Sequence, residues 1–358
     1  MMGGNVNLKT GFVDGLKKFT KKWEFVLLLI LLAEFAIFGA VNFEKFFRIT
    51  SIFSSITNFI SICIISLFVT FVMITGGIDI QASSIVGLTS IVIGVLWSDA
   101  GLNIWTAVLL AIVTAGICGA LSGFFVAYCG VQPMVVTLGG SFLFSGLALL
   151  ISGLSKTPAY QGISGFPGKN ELGEFISFRA LGKMLVFDLI PIQIIIYVAL
   201  IVLCYLLLHK SRYGRRVFLV GVNRQAAEYS GINSRWIIMS TYILTGIGAA
   251  IAGVLLTANV DSAKYNLGST FTLSIITAVV LGGTLSTGGK GSITGTALAA
   301  IIICIMRYGL PLCFGISNQN LDLPIGIMLV VVVAIRAYFA QGKRPMFRRK
   351  GKECASPQ

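Results

Sequence analysis

Runs of about twenty mostly apolar residues recur along the whole chain, and no other feature limits its fold so strongly. The first, WEFVLLLILLAEFAIFGAV from Trp23 to Val41, contains two acids and no other charge. A helix rises about 1.5 Å per residue, so about 20 such residues cross the hydrocarbon of a bilayer. Ten segments of this kind can be marked, at 24–42, 51–75, 83–98, 104–128, 133–153, 191–209, 237–259, 269–286, 292–308 and 323–340. Trp23, Trp97, Trp105 and Trp236 all fall at segment ends, where amphipathic rings settle at the membrane interface. The expectation is an all-α, polytopic membrane protein with about ten transmembrane helices.

Composition agrees. Only 11% of the 358 residues are charged, against about 25% in a soluble domain. The 41 glycines suit helices that approach closely in lipid. The net charge of +14 follows from the concentration of Lys and Arg on the cytoplasmic side of membrane proteins, rather than from nucleic-acid binding. With the N-terminus inside and ten alternating spans, 19 of the 27 Lys and Arg residues fall inside and 8 outside, Arg307 among the latter. Both termini are therefore expected in the cytoplasm. The first 22 residues are polar and carry five lysines, and the following apolar run is long enough to span, so no cleaved signal is expected. The seven cysteines are scattered without a C-x-x-C, which implies neither a disulfide framework nor a metal site.

The chain divides into a cytoplasmic segment 1–23, a single transmembrane domain 24–340 and a basic cytoplasmic tail 341–358. Two polar segments inside the domain are long enough to carry function. Gly153 to Asp188 faces outside, and the basic loop 210–236 faces inside.

Three glycine pairs recur: Gly76-Gly77, Gly139-Gly140 and Gly282-Gly283. The third belongs to VVLGGTLSTGGKGSITGT, Val279 to Thr296, which approximates a phosphate loop. That loop requires G-x-x-x-x-G-K-[ST] after a strand. Here Gly289 stands where the lysine should, Lys290 comes one position late, and an apolar span precedes. The segment reads as a tight turn between packed helices or as a hinge beside a path. The first pair opens GGIDIQASS, Gly76 to Ser84. If Asp79 lies in the bilayer it needs a partner or a water-filled cavity; alternatively it sits at the cytoplasmic surface and caps the next span. Glu34 is the clearest intramembrane acid, either a proton or substrate group or a residue paired within the bundle. His209, the single histidine, sits at a span end beside Lys210 and reads as interfacial. One histidine excludes H-E-x-x-H zinc chemistry, and no G-x-S-x-G elbow occurs, so an enzyme is not expected. The inside loop carries GVNRQAAEYSGINSRW, Gly221 to Trp236, with helix formers from Arg224 to Tyr229 and a stop at Ser230-Gly231. It reads as a short docking helix or as an ordinary basic connector.

GGIDIQASSIVGLTS, GVNRQAAEYSGI and AVVLGGTLSTGGKGSITGTALAAIII, in this order and topology, resemble the permease subunits of sugar-type ABC importers, the ribose and branched-chain amino acid permease family. AYQGISGFP, NLGSTFTLSIITAVVLGG and IGIMLVVVVAIR resemble the autoinducer-2 (Lsr-type) import permeases within it. The resemblance implies a multi-pass subunit of the bacterial inner membrane that forms the path for a small sugar or a furanosyl signal. It implies three partners: a cytoplasmic ATPase dimer, a second permease subunit (the same chain or a sister) and an extracytoplasmic substrate-binding protein. ATP would be bound by the ATPase, and this chain would bind no cofactor. By the match, Gly221, Asn223, Ala226, Ala227 and Gly231 would form the ATPase-coupling loop. Gly76, Gly77, Asp79, Gly282 and Gly283 would lie near the path. An ion-coupled secondary transporter is the alternative; its ion relay would need more intramembrane acids or histidines than Glu34 and Asp79.

Overall fold

A computed structural model of the protein describes residues 23–166, 177–186, 190–317 and 320–341. The N-terminal segment 1–22 and the tail 342–358, with the roles expected of them, lie outside the described residues, as does part of the outer segment.

Every one of the ten apolar runs carries a helix. These are α1 (Trp23–Val41), α3 (Ile49–Ile74), α4 (Ala82–Ser98), α5 (Ile104–Ala127), α6 (Pro133–Leu154), α8 (Ile192–Tyr205), α11 (Ser234–Val260), α12 (Thr272–Leu281), α13 (Ile293–Phe314) and α14 (Asp322–Gln341). Short helices α2 (Phe43–Phe46), α7 (Ala180–Lys183), α9 (Arg212–Val222) and α10 (Arg224–Tyr229) connect them. A wider π turn, Leu206–Lys210, extends α8. Seven of the helices are long and apolar enough to cross a membrane unaided; α4, α12 and the apolar part of α14 are shorter. The all-α polytopic architecture is therefore the observed one.

Helix α3 is the central post. Of its spanning window 83% is buried, against 17% for α1 at the periphery. Helix α11 lies beside it and crosses α5 along small residues. A side chain at Gly119 would strike the Tyr242 carbonyl, and one at Gly246 would strike the Ala115 carbonyl. Such stripes let helix backbones touch, which replaces the hydrophobic drive that lipid removes. Buried hydroxyls close their own helices, as when Thr70 donates to the Ser66 carbonyl at 2.8 Å and Thr89 to Ile85 at 2.8 Å.

Two short antiparallel pairings decorate one end of the bundle. Strand β1 (Ile163–Ser164) pairs with β4 (Ser262–Ala263), and β2 (Leu185–Val186) pairs with β3 (Ile190–Pro191). Asp99 accepts from the Lys156 amide at 3.2 Å at this end, and Arg179 pairs with Asp261 at 2.8 Å. The opposite end gathers the C-termini of α3, α5 and α12 with α9 and α10.

Two expectations change. The span expected at 269–286 is a helix of only ten residues, α12, about 15 Å long. The chain enters it through non-helical backbone from Lys264 to Phe271, laid along α4. Arg307, counted among the outer charges, is 5% exposed inside α13. It donates to Ser274 of α12 at 2.8 and 3.1 Å and to Asp322 of α14 at 3.0 Å. Its guanidinium also lies 5.6 Å from the centre of the Phe59 ring. A charge this deep is stable because every neighbour that it needs comes from a different helix.

Candidate translocation path and coupling site

Helix α3 ends at Ile74, and α4 does not begin until Ala82. The break is made by two glycines with different tasks. Gly76 has φ +86°, a left-handed conformation that costs other residues about 1–2 kcal/mol. Gly77 is ordinary in backbone angle, but a Cβ there would meet the Tyr242 hydroxyl at 2.6 Å and Val72 at 2.9 Å. The freed backbone is received by neighbours, since Thr137 of α6 donates to the Ile78 carbonyl at 2.9 Å. Non-helical backbone at membrane depth persists only where protein or a water-filled cavity takes its polar groups.

Asp79 is 2% exposed, and its carboxylate accepts from the Gln81 amide at 3.1 Å. It is thus buried, and its hydrogen bond closes the turn just ahead of α4 rather than capping the helix itself. Gln81 is fully buried and accepts from Ser122 of α5 at 2.6 Å. Gly140 explains how it fits: a Cβ there would lie 2.2 Å from the Gln81 amide oxygen. The middle glycine pair therefore breaks no helix; it makes room in α6 for a polar side chain.

The third pair closes α12. Gly282 packs against α13, where a Cβ would meet the Thr296 backbone at 2.5 Å. Gly283 turns the chain with φ +105°. The loop that follows exposes Leu285 to Thr287 and Lys290, while its glycines pack against the end of α3. Gly289 donates its amide to the Ile74 carbonyl at 2.8 Å. The structure thus brings the ends of all three quoted motifs together. A Cβ on Gly221 would lie 1.8 Å from the same Ile74 oxygen and 2.8 Å from the Gly289 nitrogen. Gly288 would clash with Gly76 N, Gly221 O and Ile74 O at about 3 Å.

Gly221 lies in the last turn of α9, and only Asn223 separates that helix from α10. Asn223 caps α10 by accepting from the Ala226 amide at 3.0 Å. Ala226 is exposed, Ala227 is 4% exposed and turned to the bundle, and Gly231 reverses the chain at φ +78°. Of the five residues expected in the coupling loop, Asn223, Ala226 and Gly231 face out, while Gly221 and Ala227 face in. The outer surface also holds Tyr229, 92% exposed, and Val222, 72% exposed, neither of which the sequence reading singled out. Arg224 anchors the loop by donating to the Ala127 carbonyl at the end of α5, at 3.3 Å. Tyr213 of α9 shares a hydrogen bond with Ser240 of α11 at 2.8 Å, and burial pushes its phenol up to about 12, so it stays a neutral tether. Between the broken helix and this loop lies a cavity of about 200 Å³, bounded by Gly76, Gly77, Gln132, Arg224 and Tyr242.

Glu34 lies half-buried in α1. His209 accepts from the Ile293 amide at 3.4 Å, at the start of α13. Neither belongs to the cluster around Ile74.

The profile of the family described as branched-chain amino acid transport system, permease component, matches residues 51–333. This chain belongs to that permease family. It is a multi-pass subunit of the inner membrane, and its work is transport rather than catalysis. It is 36% identical over 315 residues, 88% of this chain and 91% of the relative, to the autoinducer 2 import system permease protein LsrD of Photorhabdus luminescens. It is 38% identical over 315 residues, again 88% of this chain and 92% of the relative, to the LsrD protein of Yersinia enterocolitica. The LsrD protein of Escherichia coli is similar at 37%. No solved structure matches.

Proposed function

We propose that this permease is the transmembrane subunit of an ATP-binding-cassette importer for autoinducer-2 or a closely related small sugar. The segment 24–340 forms one permease domain with ten membrane crossings and both termini in the cytoplasm, and loop 210–236 is its coupling element. A cytoplasmic ATPase dimer binds and hydrolyses the ATP, so the permease itself needs no cofactor. A second permease subunit completes the path, and an extracytoplasmic binding protein supplies the solute. The relatives' names support the solute and the import direction.

The observation that carries the coupling role is the contact at Ile74. The helix α10 that faces the cytoplasm is one residue from α9, and the end of α9 is packed on the last carbonyl of the broken helix α3. Movement of the loop must therefore move α3 and the 284–292 turn, because close-packed backbone has no slack to absorb it. Purification of the tagged chain from its native membrane tests the reading. The expected result is a co-purifying ATPase whose activity is stimulated by solute-loaded binding protein. A chain that purifies alone and moves solute on an ion gradient would replace this reading with the secondary transporter.

A further inference from the structure

We infer that the solute rests in a small hydroxyl-lined cavity beside the non-helical entry to α12, and that the site selects neutral, polyhydroxylated molecules; this deepens the importer reading and rests on it. The cavity measures about 300 Å³ and is lined by Ser83, Ser84, Ser145, Tyr265, Asn266 and Ser269, with Leu149 and Leu267 as its apolar wall.

Its depth comes from the helices that build it. Ser84 stands 14 residues before the outer end of α4 at Ser98, which is about 21 Å. Ser145 is 12 residues from the start of α6, about 18 Å from the opposite end. Both place the cavity near the middle of the bilayer. The third wall is the segment from Lys264 to Phe271, which runs beside α4. A side chain on Gly87 would strike the Tyr265 carbonyl, and one on Gly268 would crowd Val86 and the Ser83 carbonyl. The segment closes only with turn bonds, such as Phe271 N–H to Gly268 O at 3.0 Å, before α12 begins. Ser83 and Thr272 share a hydrogen bond at 2.6 Å that fixes the floor.

Ser145, Asn266, Ser269 and Thr270 are exposed at this depth. Irregular backbone and exposed polar groups cannot face hydrocarbon, so this surface must border water or a second subunit. That makes it the wall of the path. Its lining sets the chemistry. Hydroxyls of serine and tyrosine and the amide of asparagine both donate and accept, as sugar hydroxyls do. No Asp, Glu, Lys, Arg or His lines it, so a phosphate or carboxylate on the solute would enter mid-membrane without a counter-charge, which is heavily penalised. The hydroxyls and the amide stand in a surface that is otherwise apolar, with Leu149 and Leu267 facing the solute, so the site offers a few neutral hydrogen bonds and no ion pair, and it can release what it holds.

The test uses the complete importer in proteoliposomes with its ATPase, second permease and binding protein. Ser145→Cys and, on the other face of the same helix, Leu143→Cys are each made in a Cys129→Ser background. The thiols are probed with a small anionic methanethiosulfonate, which reacts with thiolate and so needs water. Ser145→Cys is expected to react at least tenfold faster than Leu143→Cys. Autoinducer-2 or ribose, added with binding protein held constant, should slow that reaction, and ribose 5-phosphate should not. Equal rates at the two positions, or protection by ribose 5-phosphate as strong as by ribose, would overturn the inference. In parallel, Asn266→Ala should raise the apparent KM for uptake about 3- to 10-fold, the loss of one or two neutral hydrogen bonds; an unchanged KM in an assembled complex counts against the site. If the unaltered importer takes up neither solute on ATP, the importer reading itself fails, which is a separate outcome.

Discussion

The amide of Gly289 donates to the carbonyl of Ile74 at 2.8 Å, joining residues that lie 215 positions apart in the sequence. Gly221 rests on the same oxygen. Three segments that differ in chain position and helix membership therefore share one backbone contact at one end of the bundle. Gly221→Ala tests whether that contact carries work. The added methyl cannot fit 1.8 Å from a carbonyl oxygen, so the backbone must open there. Overpacking of this kind costs about 1–3 kcal/mol. The expected outcome is a complex that still assembles but whose solute-stimulated ATPase falls by about tenfold or more. Full stimulation in an assembled complex would show that the contact is only packing.

Tyr229 addresses the partner side of the same device. It is 92% exposed, so the fold owes its ring almost nothing. Tyr229→Ala should leave the thermal stability of the isolated permease within about 0.5 kcal/mol. A tyrosine that serves as a hot spot of an interface costs about 2 kcal/mol or more on truncation. Retention of the ATPase on tagged permease should therefore drop at least tenfold. Undiminished retention would move the docking surface away from α10.

Asp79→Asn separates charge from geometry. The amide oxygen of Asn can still accept from the Gln81 amide, so the turn into α4 survives. Assembly is expected to be normal. If the carboxylate charge serves the path, uptake falls severalfold while co-purification is unchanged. Normal uptake by Asp79→Asn would leave Asp79 with the turn alone.

The all-helical architecture was legible because length and apolarity alone decide that a segment spans. The helix break at Gly76-Gly77 and the short helix at Arg224–Tyr229 were legible for local reasons: a glycine pair before an acid, and an Asn cap before helix formers. The half-length of α12 was hidden by the apolar run from Leu273 to Leu281, which outweighed the turn signal in Asn266-Leu267-Gly268-Ser269-Thr270. The convergence on Ile74 was not legible at all. A backbone contact between distant glycines leaves no periodicity and no charge pattern to detect. Nor did the sequence distinguish the glycine pairs, since Gly76 turns the chain, Gly140 makes room for Gln81, and Gly282 lets α12 touch α13.

Arg307, counted from the sequence as a loop charge, yields the last prediction. Placed among the outer charges by sequence position, it instead ties α12 to α13 and α14 through Ser274 and Asp322. Helix α12 is short and enters through irregular backbone, so it needs a lateral anchor more than a full span does. Arg307→Leu removes the hydrogen bonds to Ser274 and leaves Asp322, whose side chain is 50% exposed, to be partly rehydrated. Hydrogen bonds to charged groups contribute about 1.5–3 kcal/mol, and the exposure of Asp322 puts the expected loss in the lower half of that range. Arg307→Lys keeps the charge but loses the fork that reaches both partners at once, and should fall between the two. The unfolding temperature of the purified permease in detergent checks the order, Arg above Lys above Leu. A Leu variant as stable as the parent would mean that packing against Phe59, rather than the polar anchor, holds α12 in place.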